Sequence, residues 1–271
     1  MSTFETDTAA TEVGPGRFKV VLSDRWWVGR GPNGGYVAAL MLRAMSRFSE
    51  GTRDGDAAVQ PARSLTLHFL NTPSVGEAEI EVTVERQGRS TTFLSARLVQ
   101  EGQVQGKAMA VFSSERSGPS FIDETMPDVP PPEEGEEFDT TQAPVEVFAR
   151  FRAVPAIGGA PLSGGDKAET AGWLRLREDQ PLDAVLAALI LDVWYPAPFV
   201  AITEPAVAPT LEYTVHFVSE LPLDEKPDWV LARLSTDQVV DGHFSEDADL
   251  WSRDGRLLAR SRQVALLKRV G

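Results

Sequence analysis

VAALMLR (residues 37–43) and LAALILD (residues 186–192) are nearly one phrase written twice, and the residues around the two copies decide the fold. Around the first copy Val37, Leu40, Met41, Ala44 and Phe48 recur at helical spacing, which predicts a helix over YVAALMLRAMSRF. GPNGG opens it, with Pro32 in the first turn. Around the second, PLDAVLAALILDVW predicts a helix with Pro181 in its first turn. Each helix is preceded by a strand-like run, RFKVVL from Arg17 and WLRLRE from Trp173. RSLTLHFL, EAEIEVTVER, TTFLSARLVQ and QGKAMAVFS follow the first helix. PTLEYTVHFVSE, DWVLARLST, HFSEDADLWS and RLLARSRQVALLK follow the second. These runs alternate apolar and polar residues between short turns, as half-buried antiparallel strands do.

The repeat can be put in register. Matching the helices pairs Arg43 with Asp192, 149 positions on, and matching the two HF dipeptides pairs His68 with His216, 148 on. The second register also pairs Ala62 with Thr210. Matching the last strands pairs Ala108 with Gln263, 155 positions on. One helix followed by antiparallel strands, twice, predicts an α+β pseudo-dimer in which each sheet wraps a central helix. The expected units are residues 1–112 and 147–271. Between them, residues 113–146 hold ten acids, one base and six of the nineteen prolines. That composition buries too little apolar surface to fold alone and reads as a solvated linker over the surface.

Composition narrows the function. The 271 residues are 42% apolar, enough for a sizeable core. There is no cysteine, so thiolate metal sites, disulfides and cysteine nucleophiles are excluded. Only His68, His216 and His243 offer imidazole, and their spacing does not suit a metal site; His68 and His216 read as packing residues. A formal charge of −14 argues against a nucleic-acid partner. The first residues lack the pattern of a secretory signal, and VLAALIL (residues 185–191) is too short to span a membrane, so a cytoplasmic protein is expected. Exposed sheet edges leave a homo-oligomer open.

Gly29, Gly31 and Gly34 spell the glycine pattern of a dinucleotide site, with Glu50 and Asp54 near the acidic position. That site needs a buried parallel strand after the helix, whereas EGTRDGDAAVQPA is polar and the remainder reads as hairpins. The glycines are better read as letting the helix meet the sheet closely.

Three places in the chain carry a resemblance: the Gly-Gly start of the first helix, the Asp late in the second, and the closing RDGRLLARSRQVALLKR. Through them the chain resembles the acyl-CoA thioesterase II family, the double hotdog enzymes of lipid metabolism, over all but the N-terminal tail and the acidic stretch. The resemblance implies two tandem hotdog units and hydrolysis of acyl-CoA without a cofactor. It also implies that an Asp, a Thr and a Gln of the second half activate and position a water; these fall on Asp192, Thr210 and Gln263. After that Thr, where the family has acidic and histidine residues, this chain has Leu211, Glu212 and Tyr213, and Val264 stands where a Glu commonly follows the Gln. With no Gly-x-Ser-x-Gly elbow, a covalent serine route lacks its signature. Asp192 is then the expected general base, its pKa raised by burial. The Gly34-Gly35 amides are candidates to hold the oxyanion. A non-catalytic acyl-CoA binding protein and a hotdog enoyl-CoA hydratase are the alternatives. The hydratase needs an Asp–His pair, and Asp192 is followed by Val193-Trp194-Tyr195-Pro196.

Overall fold

The computed structural model describes residues 2–51, 59–143, 145–222 and 228–270. Asp54, weighed above for the glycine pattern, lies outside them. The first half comprises α1 (Thr3–Asp7), β1 (Thr11–Gly14), β2 (Arg17–Leu22), α2 (Gly34–Gly51), β3 (Ala62–Phe69), β4 (Gly76–Gln87), β5 (Thr91–Gln100) and β6 (Gln103–Ser113). The second comprises β7 (Phe151–Ile157), β8 (Glu169–Leu176), α3 (Ala184–Ile190), α4 (Pro198–Ala201), β9 (Thr210–Phe217), β10 (Val230–Ser235), β11 (His243–Ser252) and β12 (Leu257–Leu266). Period-two burial forms the strands: in β2, Phe18, Val20 and Leu22 face inward and the residues between them outward.

Both helices start later than their prolines suggested. α2 begins at Gly34 and α3 at Ala184, where the Asp183 carboxylate caps the end by accepting from the Leu186 N–H at 2.7 Å. Strand β7, FRAVPAI, was not anticipated because Pro155 interrupts its apolar run. It is the last strand of the sheet, where a missing N–H removes no necessary ladder bond.

The strands form one sheet in the order β1-β2-β4-β5-β6-β3-β9-β12-β11-β10-β8-β7, and Val239–Val240 pairs with β11 off that path. Every strand pairing among the described residues is antiparallel, so the glycine pattern does not sit in a parallel dinucleotide fold. The halves meet at β3 and β9, where Thr66 lies opposite Thr214. These residues stand 148 positions apart, so each faces its own repeat counterpart across a pseudo-twofold axis. Thr214 donates to Thr66 Oγ1 there at 3.0 Å.

Register then carries the equivalence outward. Gln263 pairs with Tyr213, and Ala110 pairs with Leu65, the counterpart of Tyr213 148 positions earlier. The counterpart of Gln263 is therefore Ala110 and not Ala108. A two-residue slip keeps the same face of a strand, so the apolar pattern alone does not detect it.

Tyr36 to Leu42 are all buried, as are Val185 to Leu191, because each helix is enclosed by the sheet on one side and the other helix on the other. A Cβ on Gly35 would come within 2.7 Å of the Leu189 carbonyl oxygen, so this glycine permits the close crossing.

The outer faces of the two halves differ. Outside β4, Glu77, Glu79 and Glu81 pair with Lys19, Arg17 and Arg97. In the second half, Trp173, Trp229, Leu231 and Trp251 form a separate apolar cluster. The acidic stretch covers it, contrary to its reading as a plain solvated connector. Met126 and Val129 pack on the cluster, and Trp173 Nε1 donates to the Pro130 carbonyl at 2.9 Å. Glu124, Glu133 and Glu137 pair with Arg260, Arg253 and Arg152. The acids are thus matched to arginines of the sheet they cross.

Candidate active site

Asp192 follows the last turn of α3, and its side chain is directed at the N-terminus of α2. Its Oδ2 accepts from the Gly35 N–H at 2.8 Å and from Asn33 Nδ2 at 2.9 Å. Asn33 Nδ2 also donates to the Asp192 carbonyl at 2.7 Å, while Asn33 Oδ1 accepts from the Tyr36 N–H at 3.0 Å. Asn33 therefore caps α2 and anchors Asp192 at once. A Cβ on Gly34 would meet Oδ2 at 3.0 Å, and one on Gly35 would meet the Asp192 Cβ at 3.0 Å. Burial pushes the Asp192 pKa up to about 6, against the opposing pull of the Gly35 amide, Gln263, Asn33 and the Gly34 amide.

These amides were expected to hold an oxyanion. The Gly35 N–H is instead committed to the Asp192 carboxylate, an anion already placed at the positive end of the helix.

Thr210 opens β9, and Gln263 lies on the neighbouring β12. The ladder shifts register between Thr210 and Glu212. Thr210 Oγ1 donates to Gln263 Oε1 at 2.7 Å, and the Gln263 side chain also reaches toward Asp192. The three residues picked from the sequence therefore gather at one place. His68 and His216, expected to pack, are both exposed on the outer face; His68 lies 3.7 Å from Glu212.

Two members of the cluster were missed. Asn33 sits in the quoted GPNGG, and its signal is the Asn three residues before Tyr36, a helix-capping spacing. Glu246 on β11 is buried, with Oε1 accepting from Gln263 Nε2 at 2.7 Å and Oε2 from the Ala197 N–H at 2.6 Å. Alternation in HFSEDADL places it on the inward face between Phe244 and Ala248, which is where a sequence reading finds it. Burial pushes its pKa up to about 8, with the Ala197 amide and Gln263 pulling it down.

Across the pseudo-twofold axis the same positions hold other residues. Arg43 binds Asp183, the cap of α3, at 3.2 Å, much as Asp192 binds Asn33 beside α2. Ala62 stands for Thr210, Ala110 for Gln263, and Leu94, opposite Ala110 as Glu246 is opposite Gln263, stands for Glu246. Among the described residues no group of three or more His, Asp or Glu is placed to hold a metal ion, and no helix is long and apolar enough to cross a membrane.

Comparison with known proteins bears on this two-part architecture. A hot dog fold protein of unknown function from Alicyclobacillus acidocaldarius superposes with a TM-score of 0.90 at 28% identity, covering 100% of both chains. A candidate thioesterase II from Thermobifida fusca YX gives 0.85 at 26% identity, covering 99% of this chain and 98% of its own. The acyl-CoA thioesterase II TesB2 from Mycobacterium marinum gives 0.77 at 21% identity, covering 99% of each chain, a likeness of fold. No curated protein matches. The family model for the acyl-CoA thioesterase N-terminal domain matches residues 22–113, and that for the C-terminal domain matches residues 123–267, starting inside the acidic stretch. The chain, a pair of tandem hotdog units, belongs to the acyl-CoA thioesterase family.

Proposed function

We propose that the chain hydrolyses acyl-CoA to a free acid and CoA by direct attack of a water, with Asp192 as general base and Thr210 and Gln263 positioning that water. The observation that carries this reading is the Asp192 carboxylate. It is anchored through Oδ2 by Gly35 and Asn33, with a pKa of about 6, beside a Thr210–Gln263 pair. Such a group is ionised at neutral pH yet basic enough to take a proton. Anchoring through Oδ2 leaves Oδ1 to face the water.

Thr210 spends its proton on Gln263 Oε1, so its oxygen lone pairs are free to accept from the same water. The water oxygen bonds to the thioester carbonyl carbon while its proton passes to Asp192. The C–S bond then breaks, and the CoA thiolate leaves and takes up the proton. A thiolate is a good leaving group, so no strong acid is required on that side. Holding the water in line supplies much of the rate through lost freedom of the attacking group.

The test is thiol release, followed colorimetrically, over a panel of acyl-CoAs with short, long, branched and aromatic acyl groups. Turnover of at least one of them without added cofactor is expected. Tight binding across the panel with no thiol released would assign the chain to acyl-CoA binding alone.

A further inference from the structure

We propose that Glu246 is a positioning residue for this reaction: its carboxyl holds the Gln263 amide in one orientation and thereby directs the Thr210 proton. The inference rests on the proposed thioesterase site and adds a member to it.

The geometry is a relay of four groups. The Ala197 N–H donates to Glu246 Oε2, Gln263 Nε2 donates to Glu246 Oε1, and Thr210 donates to Gln263 Oε1. A glutamine side chain has a donor end and an acceptor end, and turning it over exchanges them. With its carboxyl ionised, Glu246 offers only acceptors to Gln263, so the Nε2 end faces Glu246 and the Oε1 end faces Thr210. Thr210 must then donate, which leaves its lone pairs for the water. If Gln263 were reversed, Nε2 would face Thr210 and occupy a lone pair, and the hydroxyl proton would point elsewhere.

Glu246 is 1% exposed, and a buried carboxyl is costly unless its place is useful. The charged or titratable groups near it are Asp192 after α3, Tyr213 on β9, and Asp247 beside it on β11. None of them donates to its carboxyl; the bonds it accepts come from Gln263 and the Ala197 amide.

Glu246→Gln keeps the shape and reverses the logic. The Ala197 N–H is fixed in the backbone and claims the new amide oxygen. The new NH2 group then faces Gln263, which turns its own oxygen toward it. The experiment compares kcat and KM at about pH 9, where the Glu246 carboxyl is ionised, for Glu246→Gln, Gln263→Ala and the double variant on one acyl-CoA substrate, with Asp192→Asn alongside and folding checked by circular dichroism. Glu246→Gln is expected to lower kcat about 10-fold with KM little changed, since only the line of attack is altered. In the Gln263→Ala background the same substitution is expected to cost less than about 2-fold, because its effect passes through Gln263. An equal loss in both backgrounds overturns the inference and assigns Glu246 a structural role through Ala197. Full kcat in Glu246→Gln with Asp192→Asn inactive overturns this inference alone. Full turnover in Asp192→Asn overturns the site reading and this inference together.

Discussion

The two halves share a helix, a sheet and a register, and differ at four equivalent positions. Around the N-terminus of α2 stand Asp192, Thr210, Gln263 and Glu246; across the pseudo-twofold axis stand Arg43, Ala62, Ala110 and Leu94. The first set forms a hydrogen-bonded chain with a carboxylate of raised pKa. The second is a salt bridge and three apolar side chains, which neither take a proton nor hold a water. The outer faces differ as well, bare and ion-paired in the first half, apolar and strapped in the second. A duplicated fold can thus keep its core geometry while one copy carries the ionisable groups of a candidate site and the other lends only the Asn33 amide and the Gly35 N–H that anchor them. Helix crossing and sheet register depend on shape, and those four positions do not disturb it.

The largest expected effect lies on the second-half site. Asp192→Asn keeps the shape and removes the base, so kcat should fall by about two to four orders of magnitude in the thiol-release assay, the usual span for general-base loss. A variant that folds and turns over normally would erase the contrast between the halves. A middling effect is expected on the outer face. Replacing residues 118–138 by a Gly/Ser chain of equal length uncovers the tryptophan cluster and removes three ion pairs. The melting temperature should drop by about 5–10 °C, as losing the burial of one or two side chains implies. An unchanged melting temperature would restore the solvated connector. The smallest effect belongs to the first-half counterpart. Arg43→Ala breaks a partly exposed ion pair with Asp183, and turnover should stay within about 2-fold.

Much of this was legible in the residues. The VAALMLR and LAALILD phrases, with alternating strands after each, contain the central helices and the sheet because burial imposes its period on the sequence. Helix starts were less legible: Pro32 and Pro181 suggested first turns, but Gly34 opens α2 and Asp183 caps α3. The register of the last strands was ambiguous by two, since Ala108 and Ala110 present the same face. The acidic stretch was misread because its few apolar residues, Met126 and Val129, gain their burial from a surface formed by distant strands. Asp192, Thr210 and Gln263 were candidates through family likeness, and the structure brings them together. Asn33 and Glu246 act through partners about 160 and 17 positions away, and such pairings emerge only when the sheet closes.

The central claim, that Asp192 is the general base, is tested most directly by the pH dependence of kcat/KM for one good acyl-CoA substrate. A base whose pKa burial has raised must be ionised to act, so activity is present above that pKa and lost as pH falls through it. The account predicts a fall approaching tenfold per pH unit below about 6 in the wild-type chain, and a residual rate in Asp192→Asn that lacks this bend. A wild-type profile that stays flat through that range, or an Asp192→Asn profile that keeps the same bend, would contradict it.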